Sequence, residues 1–286
     1  MDETAEPLHR LRPLSPQPTG LTPRGKLDQP VKAILFDIYG TLFISAAGDI
    51  RRSLGAVADA PALQQLLNRY AIQQRPADLV ERLEAAIAQD HRQRRKQGAD
   101  HPEVDIEQIW ADVLAWDDPT LLRHFAATFE RLVNPVWPMP HLKELIQGCR
   151  RRHLVMGLVS NAQFYTSELF RRFLKSDPAE LGFSPPLCIY SYQHGRAKPS
   201  PYLFQLAHTR LRRMGLQPRQ VLFVGNDMRN DILPAHQVGF ATALFAGDKR
   251  SLRLRSSDPQ CRALSPNLLL TDLSQLMEHL NLTSRA

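Results

Sequence analysis

Cysteine is scarce in this chain. Cys149, Cys188 and Cys261 are the only three, far apart and odd in number. Their spacing matches neither a zinc site nor a disulfide framework, so they read as reduced, structural thiols. Long hydrophobic runs are lacking as well. No apolar stretch approaches the roughly 20 residues needed to cross a bilayer. The opening MDETAEPLHRLRPLSPQPTG has no apolar segment of the secretory kind. A cytoplasmic location without membrane contact is therefore the expectation. No internal repeat is visible, and no block of like charge dominates. The net charge is +7, but its basic segments (RRHL, RLRR and KRSLRLR) are scattered. Only His91–Lys96 (HRQRRK) is compact. It falls late in a predicted helix, where cations suit the helix dipole. It reads as a solvated face, and no specific nucleic-acid partner is expected.

What is present is material for a core. Of 286 residues, 43% are hydrophobic, enough for one large domain or a core carrying an inserted one. Residues 1–30 hold six prolines and little apolar periodicity, which predicts a disordered or loosely attached arm. From residue 31 short apolar runs recur: Ala33–Phe36, Leu154–Val159, Leu187–Tyr190, Val221–Val224 and Ala241–Phe245. Near-continuous apolar strands imply burial on both faces, as in a parallel sheet. Helical patterns lie between them, such as Leu142, Leu145, Ile146 and Cys149, or Leu203, Phe204, Ala207, Leu211 and Met214. The alternation predicts a doubly wound parallel α/β sheet.

The first two of these strands are separated by residues 37–153, far beyond an ordinary crossover. Amphipathic patterns at Pro61–Ile72, Pro76–Gln97, Val104–Trp116 and Thr120–Val133 fill the gap. They predict an inserted all-helical cap over 46–137, leaving 31–45 and 138–286 as the α/β core. Asn134–Pro140 (NPVWPMP) reads as the hinge back into the sheet. Such an insert can cover an active site and exclude water.

Ligands of open α/β sheets bind beyond the carboxyl ends of the strands. The polar residues that follow the apolar runs should converge there. They are Asp37, Tyr39 and Thr41; Ser160 and Asn161; Lys198; and Asn226, Asp227 and Asp231. Each alone would be an ordinary turn or cap residue. In this order, each at a strand end, they describe one crevice.

FDIYGTL, VSNA, the segment from Ser191 to Lys198-Pro199, and VGNDMRNDILPAHQVGF resemble the four motifs of the haloacid dehalogenase (HAD) superfamily. The resemblance covers residues 31–248, and the helical insert is similar to that family's C1-type cap. It implies a Rossmann-like core in which Asp37 is a covalent nucleophile. Thr41, Ser160 and Asn161 would hold a small anionic substrate, and Lys198 would neutralise charge. Asp37, Asp227 and Asp231 would ligate Mg²⁺. Alternatively, Asn226 takes the ligand position with Asp227 behind it.

Two positions depart from the family's phosphatases. Tyr39 stands where a second Asp usually serves as acid and base, and a phenol near pKa ~10 is a poor base. The DxYGTL form resembles the 2-haloacid dehalogenases, which displace halide and need no metal. The cap, however, lacks their Trp-Arg-x-x-Gln-Leu pattern, and Arg51 and Arg52 stand outside such a context. Three readings follow. The first is Mg²⁺-dependent hydrolysis of a small phosphate ester or acyl phosphate. The others are 2-haloacid dehalogenase-like cleavage of a carbon–halogen bond, and a weakly active or non-catalytic binding protein.

Overall fold

The structure, a computed structural model, describes residues 13–47, 55 and 61–282. Among the described residues nine strands form two sheets: β1 (Arg24–Gly25), β2 (Ala33–Phe36), β3 (Phe43–Ser45), β4 (Val136–Pro138), β5 (Val155–Ser160), β6 (Phe183–Tyr190), β7 (Val221–Gly225), β8 (Ala241–Phe245) and β9 (Leu268–Leu270). The main sheet has the order β1-β9-β8-β7-β2-β5-β6. All its pairs are parallel except β1 with β9. Every residue of β2 and β7 is buried, as the continuous apolar runs require. Successive side chains point to opposite faces of a strand. Ile34, Phe36, Leu222 and Val224 enter one core layer, and Ala33, Leu35, Val221 and Phe223 enter the other.

Ten α-helices accompany the sheets among the described residues. α1 (Pro61–Arg69), α2 (Pro76–Lys96), α3 (Ile106–Leu114) and α4 (Pro119–Val133) make the insert. In the core lie α5 (Leu142–Arg151), α6 (Glu168–Leu174), α7 (Pro201–Arg213), α8 (Leu233–Gln237), α9 (Pro259–Arg262) and α10 (Leu273–His279). α5 shows why these segments are helical. Leu142, Leu145, Ile146 and Cys149 fall on one buried stripe, and Arg150 and Arg151 close the last turn against the dipole. α7 packs Leu203, Phe204, Ala207 and Leu211 on the opposite face of the sheet.

The insert has its own core. Asp105 and Asp118 cap α3 and α4 through their carboxylates. Trp110 is 1% exposed and meets Phe125 and Phe129 edge-on at 5.0 and 4.8 Å. The connection to the main sheet is ordered. β3 and β4 pair antiparallel, Ile44 opposite Trp137, and Ala46 N–H donates to Pro135 O. The proline-rich return thus carries a strand of a ribbon, its prolines lying at a two-stranded edge where missing donors are tolerated.

One expectation is corrected. Residues 13–30 do not form a loose arm. Thr19 donates to Ala246 O, Lys249 N–H donates to Gln17 O, and β1 adds an antiparallel edge to β9. Leu14, Leu21 and Leu27 pack against the core, so a few spaced leucines anchor a segment that its prolines make look disordered. Residues 1–12, Arg51 and Arg52 lie outside the described residues. His91–Lys96 is largely the solvated face expected, exposed except for the half-buried His91 and Arg94. His91, Arg92 and Arg95 line a cavity between the insert and the core. Among the described residues no helix is long and apolar enough to cross a membrane.

Candidate active site

Asp37 lies one residue beyond β2, and its N–H continues the ladder to Val224 O at 2.9 Å. The chain then turns sharply. Leu42 N–H returns to Ile38 O, and Gly40 N–H meets Phe43 O. Gly40 has φ +79°, and a Cβ there would collide with the Asn226 amide and Ser251. This turn exposes Asp37 at the strand end and sends the chain into β3 and the insert.

The Asp37 carboxylate is 5% exposed, and its two oxygens are treated differently. Oδ1 accepts from Ser160 Oγ at 2.9 Å and Lys198 Nζ at 2.6 Å. Oδ2 accepts from Thr41 Oγ1 at the long distance of 3.4 Å. Lys198 Nζ also donates to Asp231 Oδ1 at 2.5 Å, and Asp231 Oδ2 takes the N–H groups of Asn226 and Asp227. Burial would lower the Lys198 ammonium, but the two carboxylates outweigh it and hold the group well above its ordinary range. Burial pushes the Asp231 carboxyl up, to about 7, against the opposing pull of Lys198 and with the repulsion of Asp37. Two buried carboxylates thus share one ammonium.

Other expected residues take different posts. Asn161 was expected to grip the substrate, but its side chain clamps the backbone of Lys198. Oδ1 accepts Lys198 N–H at 2.7 Å, and Nδ2 donates to Lys198 O at 3.2 Å. Tyr39 is half-buried, and its phenol shares a 3.0 Å hydrogen bond with Thr166 Oγ1. Burial and the Glu130 charge push that phenol far above its usual range, so it cannot act as a base near neutral pH.

The expected Mg²⁺ ligands are corrected too. Asp227 caps the turn that follows it, accepting from Arg229 N–H and Asn230 N–H. It also forms a two-pronged pair with Arg255, at 2.6 Å from Nη2 and 3.1 Å from Nε. Asn226 donates its amide to Tyr39 O. Asp231 has both oxygens engaged. Asp227 and Asp231 would have to give up Arg255, Lys198 and backbone N–H groups to ligate a metal, so these two carboxylates as arranged do not fit a resident Mg²⁺. Among the described residues no group of three His, Cys, Asp or Glu is arranged for a metal.

A family model described as haloacid dehalogenase-like hydrolase matches residues 31–239. The chain belongs to that family. No curated protein sequence matches it. Among solved structures, a 2-haloacid dehalogenase from Pseudomonas syringae pv. tomato DC3000 is similar with TM-score 0.55 and 18% identity, over 88% of this chain and 98% of that one. An L-2-haloacid dehalogenase is similar with TM-score 0.51 and 17% identity, over 88% and 100% of the two chains. At these identities the likeness shows the shared fold.

The site of this haloacid dehalogenase-like hydrolase includes residues that motif reading missed. Glu103, between α2 and α3, accepts from Ser191 Oγ at 2.6 Å and from Gln163 Nε2 at 3.2 Å. Burial pushes its carboxyl up. Next to it, Pro102 bridges to Arg196 and Ala197 N–H donates to His101 O. The insert therefore docks on the loop that carries Lys198. Glu130 accepts from Asn134 and from Tyr165 OH, and burial raises it as well. A signal for Glu130 existed, because it falls on the apolar stripe of Ala126, Phe129 and Val133.

Replacing Tyr39 with Phe removes one hydrogen bond to Thr166 and no proton donor. Turnover should fall less than about tenfold, the cost of one ordinary buried hydrogen bond. A loss of a thousandfold in kcat with an intact fold would assign the phenol to the chemistry.

Proposed function

We propose that this hydrolase uses Asp37 to displace halide from the carbon of a small organic acid, without a resident metal. One observation carries the reading: Asp37 Oδ2 is nearly unencumbered while Oδ1 sits between two donors, Ser160 Oγ at 2.9 Å and Lys198 Nζ at 2.6 Å. Oδ2 would attack the halogen-bearing carbon, and the carbon–halogen bond would break with the halide keeping its electron pair. The product is an ester through Oδ2, whose carbonyl oxygen is Oδ1. Water then adds to the Asp37 carboxyl carbon, and negative charge develops on Oδ1. Lys198 and Ser160 stand where that oxyanion forms. Collapse breaks the bond between the Asp37 carbon and Oδ2 and releases the hydroxy acid. Over one cycle the product takes Oδ2 as its hydroxyl oxygen, water replaces that oxygen in the Asp37 carboxylate, and one proton and one halide are released. Halide leaves unprotonated, so the Tyr39 phenol, held by Thr166, is no impediment.

A second reading, Mg²⁺-dependent hydrolysis of a phosphate ester or acyl phosphate, is favoured by one contact. Asn226 lies against Tyr39 O, and turning its amide would put two uncharged oxygens together there. One paired assay separates the readings. Halide release from 2-chloropropionate and 2-bromooctanoate should be unchanged by chelator. Phosphate release from p-nitrophenyl phosphate that vanishes with chelator and returns with Mg²⁺ would overturn the first reading. Absence of both activities would favour a binding protein.

A further inference from the structure

We propose that the cavity between the insert and the core binds an apolar substrate body, so that the enzyme selects medium-chain or aryl-substituted acids over short ones. This rests on Asp37 as the reacting group. The cavity measures about 750 Å³. It lies in the ~300–1,000 Å³ range of pockets for drug-sized ligands. A short halo acid would leave most of it wet. Tyr39 and Asn161 line its core end, two residues beyond Asp37 and one beyond Ser160. Leu83, Ile87, Trp110, Ala126, Phe129 and Val133 line it among α2, α3 and α4.

The polar groups of the wall are largely spent on one another. Ser45 donates to Asn134, Asn134 to Glu130, and Tyr165 to Glu130. Glu103 is occupied by Ser191, Gln163 and Val104 N–H. The wall left to a ligand is therefore mainly apolar. Glu84, Arg92 and Arg95, all exposed, mark the solvent end. Each substrate methylene buried against such a wall raises affinity about fourfold.

The test is calorimetric binding to full-length Asp37→Asn protein, which keeps ligands unreacted. 2-Bromooctanoate should bind at least tenfold tighter than 2-bromopropionate. Octyl phosphate against ethyl phosphate is measured in parallel. An Ala88→Trp change on the exposed edge of the cavity, with Ile87→Trp as a second filler, should cut the long-to-short ratio below threefold. Equal affinities, no binding of either eight-carbon probe, or a ratio unmoved in both filled variants would overturn the proposal. If only the phosphates bind, with octyl preferred, the cavity assignment stands and the carbon–halogen reading falls. Halide release by the wild type without preference in binding gives the reverse.

Discussion

An Asp37→Asn variant will fold and turn over substrate at least about 10⁴-fold more slowly than the wild type, as expected for loss of a covalent nucleophile. The structural cost is small, because Lys198 keeps its partner Asp231 and Ser160 can still donate to the amide oxygen. A companion experiment asks where water attacks. In a single turnover of the wild type in water enriched in heavy oxygen, the label should enter Asp37 itself, read by mass spectrometry of the peptide that carries it. The product should emerge unlabelled, since its new oxygen is the former Oδ2. This outcome follows from two donors on Oδ1, which favour addition at the carboxyl carbon. Label in released phosphate, with none in Asp37, would place the attack on phosphorus and remove the basis for the carbon–halogen reading.

The parallel sheet was legible because its strands are buried on both faces and read as unbroken apolar runs. β2, β7 and β8 fall on the residues expected, within one position. β6 was visible only from Leu187, although it starts at Phe183. Its first half contains Pro185 and Pro186, which the edge position of β6 tolerates. β9 is three leucines without alternation, and β1 is two residues, too short for any pattern.

The site was legible in position more than in role. Asp37, Ser160 and Lys198 each follow a buried strand, and the sheet brings them together as expected. The contacts of Asp227 and Asn161 were not legible, because a side chain's direction depends on partners remote in sequence. Arg255, 28 residues away, draws Asp227 aside, and the backbone of Lys198, 37 residues away, occupies Asn161. Glu103 sits in a loop between helices, where a lone acid reads as solvated, and only the docked core shows it half-buried and hydrogen-bonded to Ser191 and Gln163.

Lys198→Met should be the most destabilising single change at the site, costing about 3–5 kcal/mol near pH 8, because it strands two buried carboxylates without their cation. The loss should shrink on acidification. Asp231 is already raised to about 7, and removing the ammonium raises it further. The folded variant then binds a proton that the unfolded chain, with its aspartates near pKa ~3.9, does not bind between about pH 4 and the raised value. Where the folded state binds more protons, stability falls as pH rises, so the variant should lie closest to the wild type near pH 5 and fall away toward pH 8. Thermal unfolding across that range checks the sign. Adding Asp231→Asn should restore most of the stability, because the amide oxygen can still accept from Asn226 and Asp227 N–H. It should not restore turnover, because Asp37 Oδ1 still lacks the cation that meets the developing oxyanion. A Lys198→Met defect independent of pH, or turnover recovered in the double variant, would show that the ammonium serves neither to balance Asp231 nor to stabilise charge on Asp37.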